Sequence, residues 1–370
     1  MVELSLGFSC SGTLCGNNIV MDIKRWSLDQ SAAWAEEVGW LVGCNFTPST
    51  AGNQLEMWQS ETFDPNTIDR ELGWAADLGM NTIRVYLHDL LFADDDIGFF
   101  KRINEVLDIA QKYDIKMIPV LFDGVWNTHP ELGAQPTPVP KRHNSIWVQS
   151  PGSTILHNPE QWDTLQPYVI TLFEKFGNDT RIVAWDLFNE PDQMDRTTIE
   201  AGTRDQKITA ATGLLAKVFD WARSTGPSQP LTAGIWEYDS NLTPVENEFS
   251  SFALAESDII SFHHYGPGND LSTIINGLQQ YQRPLICTEW LARSEGSTVE
   301  NLQIFSDQKV GAINWGLVDG KTQTRFPWRS WWEEVDEDEP WFHELLHSDG
   351  TPYSEHEISI FHGVIKSSCQ

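Results

Sequence analysis

Along this chain, short runs of continuously apolar residues alternate with longer stretches in which apolar positions recur at helical spacing. The runs fall at Gly39 to Phe46, Thr82 to Leu87, Lys116 to Phe122, Ile182 to Asn189, Leu231 to Trp236, Ile259 to Tyr265, Leu285 to Trp290 and Gly311 to Val318. They lack the apolar/polar alternation of a half-exposed strand, as parallel strands covered on both faces should. Between them, Pro65 to Leu78, Phe99 to Lys112, Gln161 to Phe176 and Ala210 to Ser224 carry Leu, Ile, Phe or Trp on one face and polar residues on the other,. The alternation predicts an α/β fold of the (β/α)8 TIM-barrel type. No fixed-period repeat or low-complexity linker divides it, so one catalytic-sized domain is expected over 26–370, after an N-terminal extension over 1–25. The rhythm breaks once, between Asp123 and Pro159, where the third strand is followed by a long loop containing Trp126, Pro136, Pro138, Pro140, His143, Trp147 and Gln149. Loops of this length inside compact domains tend to be functional, and its prolines and aromatics favour an ordered wall beside the barrel mouth.

Charge narrows the classes. With 53 acidic against 24 basic side chains and a formal net charge of -29, the chain repels phosphate backbones and anionic lipid, which argues against nucleic-acid and membrane partners. No apolar stretch reaches the roughly eighteen residues of a membrane span. Glu3 stands where an export signal needs positive charge, so no signal peptide is expected,. The cysteines are odd in number, five, and Cys44 and Cys287 lie in predicted strands as small apolar residues, which leans toward a reducing, cytoplasmic setting,. Nothing in the pattern bears on oligomeric state. The 17 tryptophans are the sharper signal. Core packing accounts for some of them; others can offer indole faces on which the C–H faces of a pyranose lie flat. In the loops, Trp58, Trp126, Trp147, Trp328, Trp331 and Trp332 are open to both uses, with Trp126 and Trp147 taken as candidate sugar contacts. The acidic stretch Glu333 to Glu339 reads as a solvated loop.

Chemistry sits at the strand ends. The fourth run finishes in Trp185-Asp186-Leu187-Phe188-Asn189-Glu190-Pro191 and the seventh in Ile286-Cys287-Thr288-Glu289-Trp290. In an α/β barrel these C-terminal ends open onto the cavity, where a carboxylate is seldom there for packing. Two carboxylates facing one bond are what acetal hydrolysis needs: one protonates the leaving oxygen while the other attacks the anomeric carbon or activates water. Arg84, in Asn81-Thr82-Ile83-Arg84-Val85-Tyr86, lies in apolar context and demands an acidic partner,. His263 and Tyr265 are two apart and share a strand face, with His264 turned to the helical layer; Trp315 places an indole at the cavity floor.

With these residues in their strand order, the chain resembles the cellulase-like enzymes of glycoside hydrolase clan A, most nearly family 5, over nearly the whole barrel. The resemblance implies a retaining glycosidase with Glu190 as acid/base, Glu289 as nucleophile and Asn189 as a sugar 2-hydroxyl contact. Arg84, His263, Tyr265 and Trp315 fall where such enzymes keep an Arg near the nucleophile, a His-X-Tyr pair and a platform Trp. It implies no cofactor and no catalytic metal, and a carbohydrate substrate with β-linkages of the xylan, β-glucan or mannan type. One departure is clear: many family 5 members carry a histidine near the end of strand three, where this chain has Leu121-Phe122-Asp123-Gly124-Val125-Trp126-Asn127. Gly43-Cys44-Asn45-Phe46-Thr47-Pro48-Ser49 and the segment from Gly316 to Thr324 are similar to a bacterial group often labelled 1,4-β-xylanase.

A retaining pair requires carboxyl groups about 5 to 5.5 Å apart. Glu190 is then expected to be raised in pKa by the neighbouring Glu289, and Glu289 held ionised by Arg84 and Tyr265. The long third loop, walling off one end of the cleft, favours action at chain ends. Two alternatives belong to other classes. His343-Glu344-Leu345-Leu346-His347 spells the H-E-X-X-H pattern of zinc peptidases,, but it follows the eighth strand, is stopped by Ser348-Asp349-Gly350 and is expected as a surface helix turn. A barrel that binds carbohydrate without cutting it is the other.

Overall fold

The computed structural model describes residues 25–193 and 203–368. Eight parallel strands, β1 (Val42–Asn45), β2 (Thr82–Tyr86), β3 (Lys116–Asp123), β4 (Trp185–Asn189), β5 (Leu231–Thr232), β6 (Ile260–His263), β7 (Leu285–Glu289) and β8 (Gly311–Trp315), form one sheet. Its order is β5-β4-β3-β2-β1-β8-β7-β6, and a parallel bridge between Ile235 and Phe262 closes β5 onto β6. The fold is thus the expected (β/α)8 barrel as a single domain. The strands are shorter than the apolar runs, because each run continues into the loop that carries its last side chains over the mouth. β5 shows this most: after two residues the chain leaves the sheet toward Trp236 and Tyr238.

Helices pack outside the sheet with their apolar faces inward. The predicted Phe99–Lys112 helix is the second half of a longer one, Asp89–Lys112, kinked at Asp95, whose side chain accepts from the Gly98 amide. The helix expected from Ala210 begins at Arg204, where Thr203 and Gln206 form a reciprocal capping box,. The floor of the barrel is sealed by a helix the pattern did not announce, Leu28–Val38. Its Trp34 and Val38 pack on Leu41, Ile118, Val183, Ile259, Ile286 and Ile313, and the Trp34 indole donates to the Val183 carbonyl at 3.0 Å. Residues 1–24 of the expected extension, with Cys10 and Cys15, and also Cys369, lie outside the described residues. Cys44 and Cys287 are buried thiols. Among the described residues no helix is long and apolar enough to cross a membrane.

The H-E-X-X-H segment is not a surface helix turn. It is buried and non-helical from Trp341 to Leu346, bending at Phe342 and His343, and is tied to the end of the barrel by the Leu345 and Leu346 amides, which both donate to the Leu317 carbonyl at 3.1 and 2.9 Å. Without helical spacing its two histidines share no face. His343 turns to the barrel mouth, whereas His347 is exposed against Trp341. Glu344 accepts from the Thr324 hydroxyl, and burial pushes its carboxyl up to about 8, a poor metal ligand near neutral pH,. The zinc-peptidase reading therefore fails on backbone geometry.

Candidate active site

Strand alternation puts Thr82, Arg84 and Tyr86 on one face of β2, and the barrel makes that face the interior. Arg84 is fully buried, so its guanidinium must be matched there,. Nε and Nη2 donate to Asp186 Oδ2 at 3.0 and 2.8 Å; Nη2 also reaches Asn189 Oδ1 at 2.7 Å. Nη1 donates to Asn45 Oδ1 at 2.8 Å, to the Tyr86 hydroxyl at 2.6 Å and to Glu289 Oε1 at 2.9 Å. The acidic partner that burial demands is therefore Asp186, with Glu289 as the second.

Glu289 closes β7 with both oxygens engaged. Oε1 accepts from Arg84 and from the Tyr86 hydroxyl at 2.8 Å, and Oε2 accepts from the Tyr265 hydroxyl at 2.7 Å. Burial opposes its charge, but His263, Arg84 and the two phenols outweigh that cost and hold its carboxyl below the usual range,. Glu190 stands just beyond β4 with a left-handed φ of 37°, a strained conformation of the kind that persists where surrounding structure enforces it,. Here the enforcement is visible. Gly124 packs directly on the Glu190–Pro191 backbone, where any Cβ would collide, and its amide donates to the Asn189 carbonyl at 2.8 Å. Oε1 of Glu190 meets His263 Nδ1 at 2.7 Å and Oε2 accepts from Gln193 at 2.8 Å. Its carboxyl is raised, chiefly by burial, with the nearby Glu289 charge a smaller contribution than the sequence argument assigned to it.

One oxygen of each glutamate and a His263 nitrogen lie within 4.8 Å of one another. That spacing suits attack and protonation at one acetal and leaves no room for the intervening water of an inverting pair, which needs roughly 6.5 to 9.5 Å. Three such ligand atoms could in principle hold a cation. Yet both oxygens of Glu289 already accept from a guanidinium and two phenols, so a metal would have to compete with a fixed positive charge.

A cavity of about 500 Å³ opens above the pair, within the range of small-ligand sites,. Trp126, Trp315, Asn189, Tyr265 and both glutamates line it. Trp147 does not. It is 1% exposed, its indole donates to Asp123 Oδ2 at 2.6 Å, and it braces Tyr86 and Trp315 edge-on. It stands behind the cavity wall, because the loop folds its indole inward to the Asp123 carboxyl. Trp58 likewise belongs to the core. His264 points away, toward Tyr238. The position expected to hold a histidine carries Asp123, a buried carboxyl raised to about 7 by desolvation, which accepts from Asn189 Nδ2 at 3.0 Å and Gln54 Nε2 at 3.0 Å.

Several neighbours escaped the sequence reading. Tyr86 was detectable, two residues from Arg84 on the same strand face. Asn144, Trp236 and His343 were not, because each reaches the cavity from a loop whose path is set by distant contacts, whereas Trp328, open to either use in the sequence, and His143, in the loop expected as a wall, both line it.

Barrel, paired carboxylates at β4 and β7 and an aromatic-lined cleft together define a glycosidase of the retaining type. A family model described as cellulase (glycosyl hydrolase family 5) matches residues 43–321. The chain belongs to glycosyl hydrolase family 5. Among solved structures it resembles a GH5_18 protein from Streptomyces cattleya in complex with GlcNAc, at 14% identity, covering 90% of this chain and 81% of that one with a TM-score of 0.62. It also resembles an endo-β-1,4-mannanase from Thermotoga petrophila, at 14% identity, 90% and 78% coverage and a TM-score of 0.57. A third is a variant GH5_18 protein from Bifidobacterium longum subsp. longum in complex with Manb1-4GlcNAc, at 13% identity, 89% and 78% coverage and a TM-score of 0.57. At these identities the likeness is one of fold. No protein of curated function matches the chain in sequence. The resemblance to enzymes labelled 1,4-β-xylanase gains no support from these comparisons.

Proposed function

We propose that this retaining glycosidase removes sugars from the non-reducing ends of β-linked oligosaccharides, with Glu289 as nucleophile and Glu190 as acid/base. The observation that carries the chain-end part is a latch between two loops. The loops after β3 and β8 leave the barrel on either side of β1 and β2, and they are bolted together above those strands. The Asn144 amide donates to the Thr322 carbonyl at 2.8 Å, the His143 amide to Ser330 Oγ at 3.0 Å and the Trp331 indole to the His143 carbonyl at 2.7 Å; the Trp126 ring stacks on Trp331 at 5.1 Å. Glu190, with Gln193 and Trp236 beside it, takes the leaving-group side, so the latched side is where the glycone sits. A cleft closed there admits a chain end and rejects a passing polymer.

In the first step a Glu289 oxygen bonds to the anomeric carbon as the C–O bond to the leaving group breaks, and the Glu190 proton goes to the departing oxygen. The Glu289 charge is thereby consumed. Glu190, now ionised, takes a proton from water, whose oxygen displaces Glu289 and restores the β-anomer. Arg84, Tyr86 and Tyr265 hold the nucleophile still, and Asn189, itself fixed between Arg84 and Asp123, offers the sugar 2-hydroxyl a polar edge. These steps use protein side chains alone. The backbone sugar is of the mannan, β-glucan or xylan type; the mannosyl ligand held by one structural neighbour and the mannanase among the others favour testing mannosides first.

Product analysis tests this reading. Incubated with β-1,4-linked mannan, glucan and xylan oligosaccharides, the enzyme should release monosaccharide from one series from the outset while the viscosity of the matching polymer stays nearly constant. A rapid viscosity fall with mixed oligosaccharide products would refute chain-end action.

The pH profile carries the acid/base assignment. Activity requires Glu289 ionised and Glu190 protonated, so kcat/KM should be bell-shaped. The acid limb should lie below the ordinary glutamate range and the alkaline limb above it, following the lowered and raised carboxyls. With an aryl leaving group that needs no proton, Glu190→Ala should lose the alkaline limb. An alkaline limb unchanged in that variant would reassign the proton donor.

A further inference from the structure

Two imidazoles and one amide at the latched end of the cavity have hydrogen-bonding capacity left over. His143 Nδ1 meets the Phe326 carbonyl at 2.8 Å, and His343 Nδ1 meets the Leu291 carbonyl. A carbonyl only accepts, so each Nδ1 carries the proton and each Nε2 is a bare acceptor. Burial keeps both rings neutral, His143 pushed down to about 4 and His343 well below the ordinary histidine value. Neither Nε2 has a partner among the described residues, and both rings line the cavity. The side-chain amide of Asn144, 1% exposed and lining the same cavity, makes no hydrogen bond among the described residues, and its Oδ1 is a buried atom without a partner. A buried oxygen such as Asn144 Oδ1 is costly left unmatched, while the two Nε2 acceptors belong to rings that line the cavity, where a ligand can meet them,.

Their placement fits one region of a bound sugar. The His343 ring lies 5.5 Å from that of Tyr265 and 6.4 Å from that of Trp315, one layer out from the nucleophile, and His143 lies 5.3 Å beyond His343. Trp328 packs on Tyr265 and on both histidines, so the acceptors sit in an aromatic frame that excludes water from a pyranose edge. Resting on the chain-end reading above, we propose that His143, His343 and Asn144 form a terminal-hydroxyl subsite that recognises the free hydroxyls of a single non-reducing-end pyranose remote from the scissile bond. Neutral imidazole acceptors take hydroxyl protons; the amide can give or take one, which suits a neighbouring pair of hydroxyls. A sugar whose 4-hydroxyl is substituted by a further residue has no such proton to give and has no space behind the latch.

The test pairs protein variants with deoxy sugars. Asn144 has a left-handed φ of 47°, a conformation glycine adopts freely, so Asn144→Gly removes the amide and keeps the loop path,. His343→Phe keeps an aromatic ring and removes both the Nε2 acceptor and the Nδ1 donor to Leu291, so its thermal midpoint is measured beside its kinetics. The probes are 4-nitrophenyl β-mannoside, β-glucoside and β-xyloside, then the 3-, 4- and 6-deoxy forms of whichever is cleaved. Each variant should lower kcat/KM on the parent sugar about tenfold, the scale of one hydrogen bond, and should show no such loss on the deoxy sugar lacking the hydroxyl it reads. Equal losses on parent and all deoxy forms, or no loss at all, would overturn the subsite while leaving chain-end cleavage intact. If wild type cleaves none of the three probes, the chain-end reading is decided by the oligosaccharide products described above. The subsite is then judged by calorimetric binding of β-1,4-mannobiose and cellobiose to Glu289→Ala with and without Asn144→Gly: unchanged affinity overturns it, and a tenfold loss supports it.

Discussion

Glu289→Ala should abolish turnover, lowering kcat by about 10⁵-fold or more, the scale seen when a covalent nucleophile is removed, while carbohydrate binding persists. Geometry makes the loss specific. Glu289 receives three donors, from Arg84, Tyr86 and Tyr265, that act on its charge and touch little else of the reacting system. Removing the carboxylate leaves Arg84 still paired with Asp186, so the barrel interior keeps its main ion pair and the fold survives. Calorimetry with an oligosaccharide substrate checks binding. Added azide provides a second readout, because a small anion in the vacated space attacks the anomeric carbon from the Glu289 side and yields the glycosyl azide of inverted configuration. Turnover within tenfold of wild type would remove Glu289 from the chemistry.

The largest effect on stability is expected at Arg84. Arg84→Ala deletes the cation that bridges Asp186 and Glu289, leaving Asp186 without its ion-pair partner in the interior and Glu289 with only His263 and the two phenols. Breaking a buried pair from one side costs about 3 to 5 kcal/mol, readable by urea denaturation as a lower midpoint at unchanged slope. Activity should respond separately. Arg84 is one of the groups that hold the Glu289 carboxyl down, so without it that carboxyl rises and the acid limb of kcat/KM moves to higher pH,. Arg84→Met, which restores volume without charge, should recover part of the packing and none of the pH shift. A variant within about 1 kcal/mol of wild type, with an unmoved acid limb, would show that Arg84 merely fills space.

How much of this could be read from the chain differs by residue. Glu190, Glu289, Arg84, His263, Tyr265 and Trp315 stand at or beside strand ends, where an apolar run fixes the residue's height in the barrel and the period of two fixes its face. Trp126 also reached the cavity, whereas Trp147, from the same loop, turned behind it to Asp123. A loop residue has no periodicity to constrain it, and proximity in sequence to a cavity-lining neighbour does not settle its direction. The H-E-X-X-H segment shows the same limit. Its local pattern suits a helix, yet the backbone hydrogen bonds of Leu345 and Leu346 to Leu317 hold it in a non-helical path against the barrel, and His343 becomes part of the cavity wall for a reason lying in another segment.

The sequence by itself determined the barrel, the strands that carry each carboxylate and the need to pair Arg84. These follow from hydrophobic periodicity and from the cost of burying charge, which act residue by residue. Tertiary structure alone decided the difference in environment between the two glutamates, the bracing role of Trp147 and the latch between the β3 and β8 loops. Each of those depends on groups far apart in the chain meeting in a low-dielectric interior, where burial, a guanidinium and two phenols act together on one carboxylate and leave the other raised,.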